Sequence, residues 1–387
     1  MKKQTVGVFF GSRSTEHDVS VVTAIASVIK PLELSGKYDV VPVYIAKDGK
    51  WFADKKLGDI KLFTSGKVTD WCKKHKPVQL SFADGLKLAW PGLKNRGVKI
   101  DIAFPALHGT HGEDGEVMAM FELANIPYVG CDVRSSVVAM DKVLAKQVAL
   151  ANNISTPLSV NFAKYEFGHD ADALVTKINR TLKYPLFVKP AHLGSSIGIT
   201  RVTDPKDLQN AIEVAVHYDD KALVEEAVPN LIEVTLPIMG NDEPQPALLE
   251  QPLTQPEDFF DFNTKYMSGG KKGGQKSGAK GAQGYSQVPA DLPKELYKKA
   301  EALGVAVYKA LGCTGMARVD MLIDSTKGEV YFNEVNPLPG SLYSHNWNKA
   351  GVSNVELVTK LVELALERFE ARKMLETVFS TSYLQQF

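Results

Sequence analysis

Three short apolar β runs, residues 5–10 (TVGVFF), 40–45 (VVPVYI) and 100–104 (IDIAF), punctuate the first 130 residues, with helix-forming sequence such as residues 19–29 between them. Strands that alternate with helices build a parallel, doubly wound layer, and no other feature constrains the fold as strongly. The stretch 50–99 is less regular, with scattered Trp, Lys and Gly, and reads as an insertion of short strands and loops.

From about residue 135 the pattern changes. Residues 141–151 and 170–182 are expected helices, the second opening on Asp170 at an N-cap position. Two β runs, 186–189 and 197–202, flank the loop 190–196, and a helix over 205–217 and a strand over 222–224 complete a small α+β unit of antiparallel character. Residues 268–287 contain seven glycines and four lysines without apolar periodicity, the composition of a mobile loop. A helix follows over 293–311, then strands over 317–323 and 329–334 turning at 325–328. The last helix opens at Ser353, where Glu356 completes a capping box, and places Leu357, Val358, Leu361, Leu364, Ala365 and Phe369 on one face.

At 387 residues the chain has room for roughly two or three domains. Its 45 basic and 45 acidic residues cancel, which speaks against a nucleic-acid coat or a polybasic membrane surface. Cys72, Cys131 and Cys313 are too sparse and too far apart for a disulfide scaffold or zinc ribbon, and fit a reducing compartment. The apolar run after Met1-Lys2-Lys3 is broken by Gly7, too short for a signal peptide, and no run approaches the about 18 residues a membrane span needs. The expectation is a soluble, cytoplasmic protein with no nucleic-acid or membrane partner.

Four constellations could carry chemistry. In the expected hairpin, Arg318 and Asp320 share a strand face, as do Glu334 and Asn336. A solvated face explains any one of them. All four together offer hard oxygen ligands for Mg²⁺ bound with substrate phosphates, beside a fixed cation. Lys189, ending an apolar strand before Gly194-Ser195-Ser196-Ile197-Gly198, has the makings of a phosphate clamp without being a Walker loop. His108-Gly109-Thr110-His111-Gly112-Glu113-Asp114-Gly115 follows a parallel strand, where a loop meets ligand. Glu16-His17-Asp18-Val19-Ser20 opens the first helix, and its acids also suit the helix dipole.

These motifs, together with Met140-Asp141-Lys142, Lys265-Tyr266 and Asn333-Glu334-Val335-Asn336 through Pro339-Gly340, occur in the order seen in D-alanine–D-alanine ligases, and the chain resembles that family of the ATP-grasp superfamily over residues 5–368. The resemblance implies an α/β and α+β ATP-grasp fold: a Rossmann-like N-terminal domain (1–134) followed by two α+β domains that clamp ATP (135–228 and 229–370, with a mobile loop at 267–287), then a tail (371–387). It implies ATP and Mg²⁺ as cofactors, two ions with Mn²⁺ as a substitute, D-alanine as substrate and a homodimer. ATP would phosphorylate the carboxylate of a first D-alanine, and the amine of a second would attack the acyl phosphate.

By the same resemblance Glu16 holds the first substrate's ammonium, Ser195 and Tyr266 bond to it and close the loop, and Arg318 with the Gly340 N–H stabilises the oxyanion. Lys142, Lys189, Ser196 and Lys265 bind ATP phosphates. Glu225, Glu226 and Val228 form the adenine hinge and Glu233 holds the ribose. Asp320, Glu334 and Asn336 ligate metal, while His108, Ser341 and Leu342 contact substrate. Lys265-Tyr266 looks like the dipeptide-forming type of the loop. Two stretches depart from the family pattern: the Gly/Lys-rich extension after Lys265-Tyr266, and residues 341–347, where the second substrate's carboxylate binds in the family. D-serine or D-lactate as second substrate, and a non-catalytic ATP-binding regulator, therefore stay open.

Overall fold

The first apolar run becomes the strand Gln4–Gly11, buried from Val6 onward, in a four-stranded sheet ordered Trp51–Ala53, Tyr38–Ile45, Gln4–Gly11, Ile102–Pro105. The computed structural model describes residues 3–92, 97–253 and 286–387. Gln4–Gly11 is parallel to both neighbours and the short edge strand alone is antiparallel. Burial on both faces explains the continuous apolar run where an alternating one would mark a half-solvated sheet. Residues 17–35 form one helical stretch whose middle, Thr23–Ile29, is π-helical. The insertion 50–99 differs from its expected loops: besides a small sheet of Gln79–Ser81, Leu86–Ala89 and Gly97–Ile100 it contains helices Ile60–Thr64 and Val68–Lys74. Asp59 caps the first of these by accepting the Lys61 N–H at 2.9 Å, a signal too local to outweigh the irregular sequence around it.

The central sheet, ordered Thr200–Val202, Leu186–Pro190, Lys221–Glu226, Ser159–Ala163, is antiparallel throughout. Helices Ala171–Thr181 and Leu208–Tyr218 cover it with Leu174, Ile178, Leu208 and Ile212, and Asp170 caps the first as expected, accepting the Ala173 N–H at 2.8 Å. A third sheet, also antiparallel, runs Gln245–Pro246, Leu231–Gly240, Gly315–Asp324, Glu329–Asn336. Helix Lys294–Ala310 lies against it, with Tyr308 fully buried and donating to the Gly240 carbonyl at 2.7 Å.

The final helix, Asn354–Lys373, has the expected capping box and buries Leu357, Val358, Leu361, Leu364 and Ala365. Those side chains join a core that contains Val6, Ile25 and Leu32 of the first layer and Met239, Met316 and Leu338 of the third, so the chain's two ends share one apolar core. Arg368 secures the seam, donating to the carbonyls of Gly130 and Tyr128 at 2.5 and 2.8 Å and to Thr314 Oγ1 at 2.6 Å. Gly315 lies beside it with φ +66°, and a Cβ there would sit 2.7 Å from the Gly130 carbonyl oxygen. Gly315→Ala is therefore expected to cost about 2–4 kcal/mol, from left-handed strain plus overlap against backbone. Urea unfolding measures it, and an unchanged midpoint would contradict the tightness of this seam.

Candidate active site

The hairpin of Gly315–Asp324 and Glu329–Asn336 divides its side chains between two faces. Val319, Met321, Phe332 and Val335 are buried beneath, while Arg318 lies across from Asn336 and Asp320 across from Glu334 on the other side. The register shifts between Asp320 and Met321, which face Glu334 and Phe332, so Asn333 is an extra residue in a β-bulge. Its side chain joins the polar face, where Oδ1 accepts from Lys189 Nζ at 3.2 Å. Arg318 grips Asp320 with two bonds, Nε to Oδ1 at 2.6 Å and Nη2 to Oδ2 at 2.5 Å, and Asn336 Nδ2 donates to the same Oδ2 at 3.2 Å. Asp320, Glu334 and Asn336 thus gather hard oxygen donors on one face, a set that fits a divalent cation of the Mg²⁺ type.

Adjacent parallel strands end at Gly11 and Pro105, so loops 12–16 and 106–115 leave the same sheet edge. Ser14 ties them together, donating to the His108 carbonyl at 2.7 Å and accepting the Glu16 N–H at 3.1 Å. Glu16 stands at the N-cap of His17–Val22 without capping it; its buried carboxylate instead accepts the Ser195 hydroxyl from the central unit. Gly109, at φ +69°, passes so close that a Cβ would lie 2.8 Å from Glu16 Oε2. Burial pushes the Glu16 pKa up, and the Ser195 bond partly opposes it. Glu113, fully enclosed beside Glu16, is pushed up by burial and then by that neighbour, while accepting N–H bonds from Gly109 at 2.7 Å and Leu338 at 3.3 Å. Two carboxyls that resist ionising together make a pocket that favours an incoming cation.

His108 is buried with Nε2 2.9 Å from Thr23 Oγ1, and burial pushes its pKa down to about 4, leaving a neutral imidazole. Thr23 Oγ1 also accepts the Ser341 N–H at 2.9 Å. Ser341, Leu342 and Tyr343 are all left-handed, with φ of +52°, +52° and +50°. Such a run persists only where tertiary contacts over-determine it. Leu342 is wholly buried and its N–H donates to the Pro339 carbonyl at 2.9 Å, and the Tyr343 ring lies 5.0 Å from the Arg318 guanidinium carbon. The amides of Ser341 and Leu342, two residues expected to contact substrate, are both engaged inside the protein.

Residues 5–131 match the family model for the D-ala D-ala ligase N-terminus, and residues 150–363 the model for its C-terminus. The D-alanine–D-alanine ligase of Acetivibrio thermocellus is 36% identical over 385 residues, covering 95% of this chain and 97% of that protein. That of Natranaerobius thermophilus is 35% identical, covering 99% and 100%. The chain belongs to the D-alanine–D-alanine ligase family. Its fold matches a D-Ala:D-Ser ligase from Enterococcus faecalis with a TM-score of 0.78 at 33% identity, over 94% of this chain and 100% of that one. It matches the D-alanine–D-alanine ligase from Coxiella burnetii with a TM-score of 0.77 at 26% identity, over 97% of each.

In this member of the D-alanine–D-alanine ligase family Lys189 belongs to the central sheet, whereas Lys142 and Lys146 lie on a helix whose Ala145 and Ala149 are buried in the core of the third sheet. Lys142 is the first residue of the helix Lys142–Ala151, capped by Asp141, and its Nζ donates to the Leu193 carbonyl at 2.6 Å and lies 3.2 Å from Glu334 Oε2. Lys189 pairs with Glu225, and Lys146 meets the other oxygen of that carboxylate at 3.0 Å. Burial opposes the Glu225 charge, yet Lys146 and Lys189 together hold its pKa down to about 2. Ser195 and Ser196 are left-handed, at φ +54° and +59°, in a loop anchored by His192. The His192 N–H donates to Asp219 Oδ2 at 2.7 Å, and its ring lies 2.9 Å from Asp219 Oδ1 and 3.3 Å from Asp141 Oδ2. The Glu226 N–H donates to the Leu158 carbonyl at 3.0 Å. Glu233 lies across from Leu322 on the strand Leu231–Gly240, and Gly340 opens the left-handed turn that carries Ser341–Tyr343. Lys265, Tyr266 and most of the glycine-rich loop lie outside the described residues.

Sequence reasoning passed over Lys146, although its spacing from Lys142 puts both on one helix face. It quoted Glu113 and Asn333 in motifs without giving them tasks, and it had no signal at all for Thr23, Tyr343 or the His192 anchor.

His192 yields a pH prediction. Its hydrogen bonds to Asp141 and then Asp219 push its pKa up to about 9 from 6.5. The stabilisation is full below the unfolded value and fades as pH rises toward about 9. Half-exposed, the ring contributes only part of what that shift would imply for a buried group. The thermal midpoint should fall more steeply across this range in the native protein than in His192→Asn; equal slopes would remove His192 as the loop's anchor.

Proposed function

We propose that this chain is an ATP-dependent, ADP-forming ligase that joins two D-alanines into D-alanyl-D-alanine, a building block for peptidoglycan. The observation that carries this reading is the convergence of the Glu16–Ser195 pair, the Arg318–Asp320–Glu334–Asn336 face and the lysines Lys142 and Lys189 in one cleft, in a chain of this family. The working parts are the three units 1–134, 135–228 and 229–370, with 371–387 as a tail; the enzyme acts in the cytoplasm as a homodimer.

Glu16 receives the ammonium of the first D-alanine. Its burial disfavours an unpaired carboxylate, so the incoming cation supplies the charge partner the site lacks. The γ-phosphoryl group passes from ATP to the substrate carboxylate oxygen, releasing ADP. The amine of the second D-alanine then attacks the carbonyl carbon and loses a proton, and phosphate leaves as the tetrahedral species collapses. Arg318 and the Gly340 N–H face the developing oxyanion, where preorganised donors act in a water-poor site. Lys142, Lys189 and Ser196 hold the phosphates, with Lys265 reaching the transferred group and Tyr266 joining Ser195 over the amino acid. The carbonyl of Glu226 and the Val228 backbone meet the adenine, with Glu225 beneath them, and Glu233 holds the ribose. Asp320, Glu334 and Asn336 would hold Mg²⁺, or Mn²⁺ in its place, which when bound would neutralise phosphate charge. His108, neutral and bonded to Thr23, orients the Ser341–Leu342 turn beside the second substrate.

A second reading keeps this chemistry and changes the acceptor to D-serine. The Enterococcus faecalis D-Ala:D-Ser ligase matches at a TM-score of 0.78, and residues 341–347 depart from the family pattern in the second-substrate region.

Phosphate release from ATP and Mg²⁺ with D-alanine alone, with the product weighed by mass spectrometry, tests the first reading. Dipeptide with equal phosphate is expected; product only when D-serine is added would establish the second. Arg318→Met should lower kcat of the folded enzyme by about 10²–10³, as expected for loss of an oxyanion donor, and should also lower the thermal midpoint, because Asp320 loses its two-bond partner. Turnover within about tenfold of native would remove Arg318 from the reacting centre.

A further inference from the structure

Lys146 has no assigned part in the chemistry, yet among the described residues it is the most enclosed cation of the cleft. Its side chain is 4% exposed and lies 3.0 Å from Glu225 Oε2; the Glu225 side chain is 1% exposed. The other carboxylate oxygen, Oε1, binds Lys189, whose side chain is 10% exposed and which also donates to Asn333 Oδ1. Two ammoniums therefore share one carboxylate in a nearly dry place, where burial lowers the Lys146 pKa and the charge of Glu225 opposes that shift. An uncompensated buried charge is costly unless an anion answers it. Lys189 stands at the end of its strand, where the Gly194–Gly198 loop begins, and Lys146 lies behind it.

We propose that Lys146 is a positioning residue for Lys189, acting through Glu225, and that it thereby sets the cleft's affinity for nucleotide phosphate. The proposal rests on the nucleotide reading of this site. The physical argument is one of shared charge. If Lys189 and Glu225 stood alone, they would form a self-neutral pair, and in so dry a place the carboxylate would hold the ammonium to itself. With Lys146 claiming Oε2, Glu225 neutralises Lys189 only in part. The remainder of that positive charge is available to a phosphate oxygen. The nearby aromatic faces of Phe332, 6.0 Å from Lys146, and Phe187, 5.8 Å from Lys189, are at the outer limit of cation–π range and do not replace a carboxylate.

The test is a double-mutant cycle read by calorimetric binding of ADP with Mg²⁺ to the native protein, Lys146→Met, Glu225→Gln and the double variant. Lys146→Met should bind ADP about tenfold or more weakly, the loss of one partial charge on the phosphate. In the Glu225→Gln background Lys189 no longer has a carboxylate to satisfy, and Lys146→Met should change ADP affinity by no more than a few-fold, whatever Glu225→Gln itself costs at the adenine. A purely structural lysine would cost as much in that background as in the native one. Native-like binding by Lys146→Met, or an equal loss from Lys146→Met in both backgrounds, overturns the proposal. Should Lys146→Met fail to fold by thermal melt, Lys146→Gln keeps a neutral donor for Oε2 and runs the same cycle. Failure of the native protein itself to bind ADP would sink the nucleotide reading and this proposal with it. Native binding with a failed cycle sinks this proposal alone.

Discussion

The bulged hairpin of Gly315–Asp324 and Glu329–Asn336 is the part on which the rest of the molecule depends. One strand pair must bury Val319, Met321, Phe332 and Val335 and still present Arg318, Asp320, Asn333, Glu334 and Asn336 to a cleft. Alternation alone would accomplish most of this, since neighbouring side chains on a strand point to opposite faces. It would not allow Asn333 and Glu334 both to face the cleft. The extra residue at the bulge does, and in doing so it brings Lys189 of the central sheet and Lys142 of the helix Lys142–Ala151 against adjacent residues of one strand.

Around that face the protein accumulates buried charge, and each buried group is answered by a partner from another part of the chain. Glu16 of the first layer meets Ser195 of the central unit, and Glu113 accepts N–H groups from its own loop and from Leu338 of the third. Isolated, any of these groups would be expensive to enclose. Together they tie the three sheets to one another at the place where substrates would enter. Backbone strain is concentrated in the same region: Ser195, Ser196 and the run Ser341–Tyr343 are all left-handed without being glycine. Such conformations are retained where the surroundings impose them and where a loop must aim its donors in a fixed direction.

Much of the architecture was legible beforehand because it rests on short-range rules. The parallel layer follows from continuous apolar runs, the helix over 171–181 from its aspartate cap, and the last helix from its capping box and apolar stripe. What escaped notice lacked local signals or had conflicting ones. The helices inside 50–99 are short and their caps sit among residues that favour no single structure. The last helix announced its apolar face but not the surface it covers, which is the first layer as well as its own sheet. The site divides the same way: Asp320, Glu334 and Arg318 follow from strand alternation, whereas Thr23 meets His108, 85 positions on, and Ser341, 318 positions on, a relation no local pattern encodes.

The sequence by itself determined the family, the order of strands and helices, and which residue types supply carboxylates, amides and cations, because periodicity, capping and motif order are properties of neighbouring residues. Only the tertiary structure decided how those groups are shared. It placed Asn333 on the polar face, gave both Lys146 and Lys189 to one Glu225 carboxylate, engaged the amides of Ser341 and Leu342, and held His108 neutral. The physical reason is that charge state and hydrogen-bond availability depend on burial and on partners distant in the chain, and both come into being only when the three sheets close on a common cleft.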